Sequence, residues 1–217
     1  MRAFHPGLED LPREVAVFPL SGALLLPEGR LPLNIFEPRY LAMVEDSMTT
    51  GRMFGMVQAE PGAPRDTNGP GLYEVGCLGR VSSFSETDDG RYLITLSGVI
   101  RFRLAEEIDL GRGYRRVRAD YAPYLRDLVT EKPQVDRAAL LGALRPYFEA
   151  QKIEANWDAI EETSDAMLIT TLSMVCPFEV PEKQALLEAT DAAQRATMLV
   201  ALMQMGAHGD SHDGRPS

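Results

Sequence analysis

The apolar positions change period near the middle of the chain. Up to about residue 122 they form short runs edged by proline or glycine, as strands do. Val15 to Leu20, Leu31 to Phe36 and Met53 to Gln58 read as buried strands, with Pro19, Pro27 and Pro32 near the edges of the runs. Pro38 suits a first helical position, where its missing N–H is unneeded, and Leu41, Val44 and Met48 follow at helical spacing. Gly51 stands where a left-handed terminator belongs. Six prolines and glycines between residues 60 and 71 predict a long mobile loop, functional or disordered. Asp88-Asp89-Gly90 then marks a hairpin. Tyr92, Ile94 and Leu96 alternate with Leu93, Thr95 and Ser97, and Ile100, Phe102 and Leu104 alternate with Arg101 and Arg103. The second pattern has one buried and one wet face. A last strand is expected over about residues 114–121.

Beyond Pro133 the period becomes helical. Val135, Ala138, Leu141 and Phe148 share one stripe, with a kink or stop expected at Pro146. Ser164 suits an N-cap for a helix through Met167, Leu168, Leu172 and Val175, which Pro177 closes. Pro181 starts a short helix through Leu187. Asp191 and Gln194 form a capping-box pattern ahead of Ala196, Leu199, Val200 and Met203, with Gly206 as the expected stop. Strands followed by helices indicate an α+β chain or two subdomains. The division reads as a β-rich unit over 11–125 with one helix, a helical bundle over 126–206 and a disordered tail over 207–217.

Four segments carry a family resemblance. The stretch from Phe18-Pro19-Leu20 to Leu33-Asn34-Ile35-Phe36-Glu37-Pro38-Arg39-Tyr40 resembles the start of the Lon N-terminal domain, also called the LON substrate-binding domain. Gly76-Cys77-Leu78-Gly79-Arg80-Val81 is similar to the central strand of that family. Leu93 to Phe102, with Gly98 inside it, resembles the strand pair that follows. Glu182-Lys183-Gln184-Ala185-Leu186-Leu187-Glu188, with Asp191 and Arg195, resembles its closing helices. The resemblance runs from about residue 11 to about residue 205 and is strongest to short bacterial proteins in which the domain stands alone. It implies a distorted β-barrel or folded sheet, a helical C-terminal unit and recognition of polypeptides for a protease. Pro19, Glu37, Pro38, Arg39, Gly79 and Gly98 are its structural motif positions.

The machinery of a full Lon protease is not legible in these residues. A phosphate loop needs a lysine after a glycine, and none of Lys132, Lys152 and Lys183 follows one. No serine stands in a strained turn beside a lysine, as a Ser–Lys dyad requires. His5, His208 and His212 fall in the termini, where catalytic geometry is not held. The tail's possible ligands, His208, Asp210, His212 and Asp213, read as solvated, so no metal is expected. Cys77 and Cys176 lie in apolar runs and read as buried small hydrophobes. The carboxylate pairs Glu106-Glu107, Asp88-Asp89 and Glu161-Glu162 read as wet faces or turns.

The 217 residues carry a net charge of −10, which argues against general nucleic-acid or anionic-membrane binding. Residues 126–217 hold 8 basic and 15 acidic side chains, so the helical half is the more acidic. The run from Val15 to Pro27 is too short to span a bilayer and follows acidic residues, unlike a signal peptide. A cytoplasmic protein is expected.

Two binding features remain. Arg101, Arg103, Arg116 and Arg118 form an electrostatic strip. It reads as a wet sheet face guarding an edge, or as a contact for acidic protein segments or the chain's own helical half. Nucleic acid is a weaker alternative, because stacking aromatics do not alternate with these arginines. The expected polypeptide-binding groove lies where β-unit meets helical unit. Phe18, Leu20, Phe36 and Tyr40 are its candidate lining, with Met43, Met53 and Met56 as adaptable thioethers, although each also fits an ordinary core. Arg39, at the start of the helix, is expected to reach a carboxylate or carbonyl on the adjoining strand. The leading expectation is a non-catalytic module for unfolded or exposed polypeptide segments, or a partner protein, without a cofactor. An undetected hydrolase using Cys77 or a glutamate is the alternative.

Overall fold

The computed structural model describes residues 6–66, 68–108, 111–129 and 133–208. Its strands are β1 (Glu14–Pro19), β2 (Arg30–Ile35), β3 (Met53–Val57), β4 (Arg65–Asp66), β5 (Gly69–Pro70), β6 (Val75–Glu86), β7 (Tyr92–Ile108) and β8 (Arg115–Asp120). Six of them form one mixed sheet in the order β2-β7-β6-β3-β1-β8, and β8 also pairs with β7, closing a small barrel. Length makes the closure possible. The first half of β7 pairs with β2 through Tyr92 to Ser97, and its second half pairs with β8 through Arg103 to Ile108. Irregularities at Leu78/Gly79, Val81/Ser83 and Leu104/Glu106 supply the bends that a small barrel needs. The helices are α1 (Pro38–Thr49), α2 (Arg137–Ala150), α3 (Trp157–Glu162), α4 (Asp165–Val175), α5 (Val180–Glu188) and α6 (Ala192–His208). This is the α+β arrangement the pattern predicts.

Gly79 and Gly98 hold their places for space. A Cβ on Gly98 would lie 1.9 Å from the Leu26 carbonyl oxygen, and one on Gly79 would lie 2.7 Å from Leu25 Cδ2. The fully buried Leu24-Leu25-Leu26 connection therefore crosses directly over β6 and β7. A second apolar cluster, including Val15, Val17, Leu78, Ile100, Phe102 and Val117, fills the barrel. The larger cluster is continuous from Phe18 and Met43 through Leu140 and Leu168 to Met203, so strands and helices share one core.

Several local expectations change. Pro146 lies inside α2 and does not stop it; buried Tyr147 and Phe148 pack the last turn against the core, which outweighs one lost backbone bond. The buried face of α2 is Leu140, Ala143, Leu144, Tyr147 and Phe148, rotated from the stripe read in the sequence. Gly206 likewise does not end α6: a Cβ there would meet Tyr147 Cε2 at 2.7 Å, so the glycine admits a ring. Gln194 accepts from the Thr190 N–H, while Asp191 accepts from the Gln194 N–H. Residues 60–71 contain the β4–β5 ribbon, tied to the barrel where Arg115 donates to the Pro70 carbonyl at 2.6 Å. The expectation of a disordered tail falls, from residue 209 onward, outside the described residues.

Candidate functional site

The alternation along β7 brings Arg101 and Arg103 to one side of the strand, but their surroundings differ. Arg101 is 4% exposed beneath the helical unit. Its Nε and Nη2 donate to Asp127 at 2.9 and 2.8 Å, its backbone N–H donates to the same carboxylate at 3.0 Å, and Nη1 reaches the Leu187 and Ala189 carbonyls. Those carbonyls belong to the C-terminal end of α5, where a cation is favoured. Arg195 joins them, donating to the Leu186 carbonyl at 2.7 Å, and burial with Arg101 nearby pulls its pKa down. Arg103, in the wet part of the strand, pairs with Asp120 at 2.9 Å. Arg116 and Arg118 pair with Glu14 and Glu106 at 2.5 Å. The strip is thus neutralised carboxylate by carboxylate, and Arg101 is a structural link between the two halves.

The Lys183-Gln184 pair builds the other side of this seam. Lys183 donates to the Gly22 carbonyl at 2.7 Å, and burial holds its ammonium below the usual lysine range. Gln184 donates to the Val75 carbonyl at 3.1 Å and accepts from Gln58 at 3.1 Å, while Gln58 accepts from the Gly22 N–H at 3.3 Å. Gln58 is 2% exposed and escaped notice in the sequence, where it looks like the polar end of a strand. Among the described residues, no buried side-chain nitrogen or oxygen lacks a partner. The seam is satisfied and closed.

The expected groove is not open there. Tyr40, Met43, Met53 and Met56 are buried, Phe18 packs its ring 4.3 Å from that of Tyr40, and Leu20 is half-buried against the same core. Apolar burial outranks exposure for these side chains: Met53 lies in the barrel cluster and the others in the core shared with the helices. Phe36 alone of the candidate lining is open, at 61%. Pro38 is the first residue of α1, as read. Arg39 does not reach an adjoining strand; it pairs with Glu37 at 2.8 Å and lies over the Tyr40 ring at 4.5 Å.

Phe36 has company that sequence reading missed. Asn34 pairs with Leu93, so Phe36, two residues further on, shares the outer sheet face with Leu93, which is 45% exposed. Phe84, 42% exposed, stacks on Tyr92 from the other face with ring centroids 4.9 Å apart. At this end of the sheet formed by β2, β7 and the last residues of β6, Phe36 and Leu93 are thus exposed on one face and Phe84 on the other. A lone aromatic within Ser82-Ser83-Phe84-Ser85-Glu86 was the available signal, since an otherwise wet strand has no packing need for it.

Reactive chemistry is held down. Burial pushes the Cys77 thiol far up and that of Cys176 up to about 12, so both are neutral thiols at neutral pH. Glu107 is bound by Arg115, Asp89 by Arg91, and Glu161 by Arg145. Among the described residues, no helix is long and apolar enough to cross a membrane.

Barrel, seam and exposed apolar tip describe a recognition fold. The chain belongs to the family of ATP-dependent protease La (LON) substrate-binding domains, whose model matches residues 14–205. It is 24% identical over 214 residues to Lon protease 2 of Myxococcus xanthus, and 26% identical over 197 residues to Lon protease 2 of Sorangium cellulosum. These alignments cover 91% and 87% of this chain and 24% of each relative, so it spans about a quarter of their length. The fold matches a Lon N-terminal domain protein from Xanthomonas campestris with a TM-score of 0.60 at 22% identity, covering 87% of this chain and 97% of that one. It also matches the N-terminal domain of the Mycobacterium avium complex Lon protease with a TM-score of 0.59 at 16% identity, over 92% and 99% of the chains. The family match is to the substrate-binding domain, not to protease or ATPase domains.

Proposed function

We propose that this chain is a non-catalytic module that captures exposed apolar segments of unfolded polypeptides, serving as an adaptor in protein quality control. The observation that carries the reading is the exposed apolar end of the sheet, Phe36 and Leu93 on one face and Phe84 on the other, in a sheet whose other apolar residues are mostly sealed inside. Family membership supports a polypeptide as the partner. Residues 11–125 then form the recognising unit and residues 126–206 the brace behind it. Phe18, Tyr40, Met43, Met53 and Met56 belong to the cores inside. Two buried free thiols suit a reducing cytoplasm, where we place the protein. Nucleic-acid binding finds no support, because each arginine of the strip already holds a carboxylate.

The test is binding to reduced, carboxymethylated lactalbumin against the native protein, followed by fluorescence anisotropy. The unfolded chain is expected to bind and the native one not. Phe36→Ala with Leu93→Ala is expected to weaken binding about tenfold without unfolding the module. Casein incubated with the protein, with or without ATP, is expected to stay intact. Cleavage by the purified chain, or equal affinity for native and unfolded lactalbumin, overturns the reading.

A further inference from the structure

Among the described residues, the last residues of β6 form an edge without a neighbour. β3 pairs with β6 only as far as Met53 opposite Arg80, and the Val81 N–H is taken by the Arg52 carbonyl at 2.8 Å. After the irregularity at Val81/Ser83 the strand runs on through Glu86, paired on the β7 side alone. All five residues from Ser82 to Glu86 are exposed.

The ladder phase shows which backbone groups face outward. In antiparallel pairs, residues that bond each other alternate with residues whose N–H and C=O point away. The Thr87 N–H donates to the Arg91 carbonyl at 2.9 Å, closing the hairpin. The next pair, Glu86 with Tyr92, is therefore turned outward, Ser85 with Leu93 inward, and Phe84 with Ile94 outward. The other flank of β7 agrees. The Gly98 N–H donates to the Gly29 carbonyl at 2.9 Å, which turns Arg30, Pro32 and Asn34 of β2 outward. Pro32, with no N–H to offer, occupies an outward position and blunts that edge. The β6 edge has neither proline nor lysine. It presents the N–H and C=O of Phe84 and Glu86 to solvent, with the Phe84–Tyr92 ring pair beside them.

The geometry points to strand addition: an extended client segment pairs with Ser82–Glu86, setting an apolar side chain on the Phe84 and Tyr92 rings and a Lys or Arg near Glu86 and Asp88. This rests on the reading that the chain binds unfolded polypeptides, and names the mode and the segment class. Main-chain hydrogen bonds supply affinity for any extended sequence, and the rings select apolar residues. The carboxylates of Glu86 and Asp88 at the turn end select a basic flank. A second copy is the poorer occupant, since each carries net charge −10 and would bring the same acidic turn to the pairing.

Glu86→Pro removes one outward N–H and leaves the β7 ladder untouched; Asn34→Pro does the same on the β2 edge and serves as control. Binding of reduced, carboxymethylated lactalbumin is measured by anisotropy, with amide hydrogen exchange followed through residues 82–86. With client added, the Phe84 and Glu86 amides are expected to exchange more slowly. Glu86→Pro is expected to bind roughly tenfold more weakly, and Asn34→Pro as well as the natural chain. Unaltered binding by a folded Glu86→Pro, or binding by the natural chain without slowed exchange, overturns strand addition while leaving client capture standing. No binding by the natural chain sinks both. Slowed exchange that grows with protein concentration alone, with a dimer in sedimentation, assigns the edge to self-pairing and also overturns the inference. Should Glu86→Pro fail to fold, the exchange measurement on the natural chain decides.

Discussion

The seam between barrel and helices and the tip of the sheet are built from the same two strands, yet they do opposite things with polar groups. At the seam, β6 and β7 lie under α5, and Arg101, Gln184 and Lys183 bond backbone carbonyls across the boundary. At the tip, about ten residues away on each strand, no described residue pairs with the outer edge of β6, and the outward N–H groups of Phe84 and Glu86 meet solvent. Cover decides the difference. A buried carbonyl without a partner is costly, so the seam specifies one docking of the halves. An exposed strand edge keeps its hydrogen-bonding capacity for another chain.

The sharpest way to break this contrast is Arg101→Ala. It leaves the Asp127 carboxylate without its guanidinium in a nearly dry site and frees the Leu187 and Ala189 carbonyls. A loss of about 3–5 kcal/mol is expected, which lowers the melting temperature by roughly 10 °C for a chain of this size. Calorimetry is expected to show one transition, because a single core spans strands and helices. Arg103→Ala, two residues away and exposed, is expected to leave the melting temperature unchanged. Equal losses in the two variants would erase the distinction between seam and surface.

These two arginines also show how far the sequence could be read. Period two made β7 visible and Asp88-Asp89-Gly90 announced its hairpin; Gly90 indeed takes a φ of +79°. The same alternation places Arg101 and Arg103 alike, and no local signal says that α5, more than eighty residues on, covers one of them. Pro146 and Gly206 mislead for the converse reason. Each looks like a breaker locally, and each sits inside a helix because tertiary packing sets the terms: the buried Tyr147 and Phe148 hold the end of α2, and the Tyr147 ring fills the space beside Gly206. The groove was misplaced in this way too: Met43 and Met56 carry no mark that separates a wall from a core. Phe84 was legible in principle, as an aromatic with no partner in its own pattern.

Alkaline pH probes the interior with a smaller expected effect. Burial raises the Cys77 thiol above its ordinary 9.0 and lifts Tyr114 to about 12, the latter with help from its hydrogen bond to Asp46. Burial also lifts Tyr147 to about 12. A group whose folded pKa is raised contributes stability that is complete below its unfolded pKa and disappears as pH climbs toward the folded value. The melting temperature is therefore expected to hold up to about pH 9 and to fall above it. Arg195 does not offset this loss. Burial pulls its pKa down, but a guanidinium keeps its proton across this range. A curve flat through pH 11 would show that these groups are wet, and the sealed interior would lose its support.

The smallest effect is expected at the start of α1. Arg39 is about half exposed, bonded to Glu37 through both Nε and Nη2 and stacked on Tyr40, one helical turn from the open ring of Phe36. Solvent screens the ion pair, so the stack is the larger part of its contribution. Arg39→Ala is expected to cost less than about 1 kcal/mol, a fall of about 2 °C in melting temperature. Raising salt to about 1 M weakens the ion pair and leaves most of that difference in place, since the guanidinium still covers the ring. A fall as large as that of Arg101→Ala would mean that Arg39 anchors the helix to the barrel. A difference that vanishes in salt would mean that the ion pair carries the contact and the stack does not.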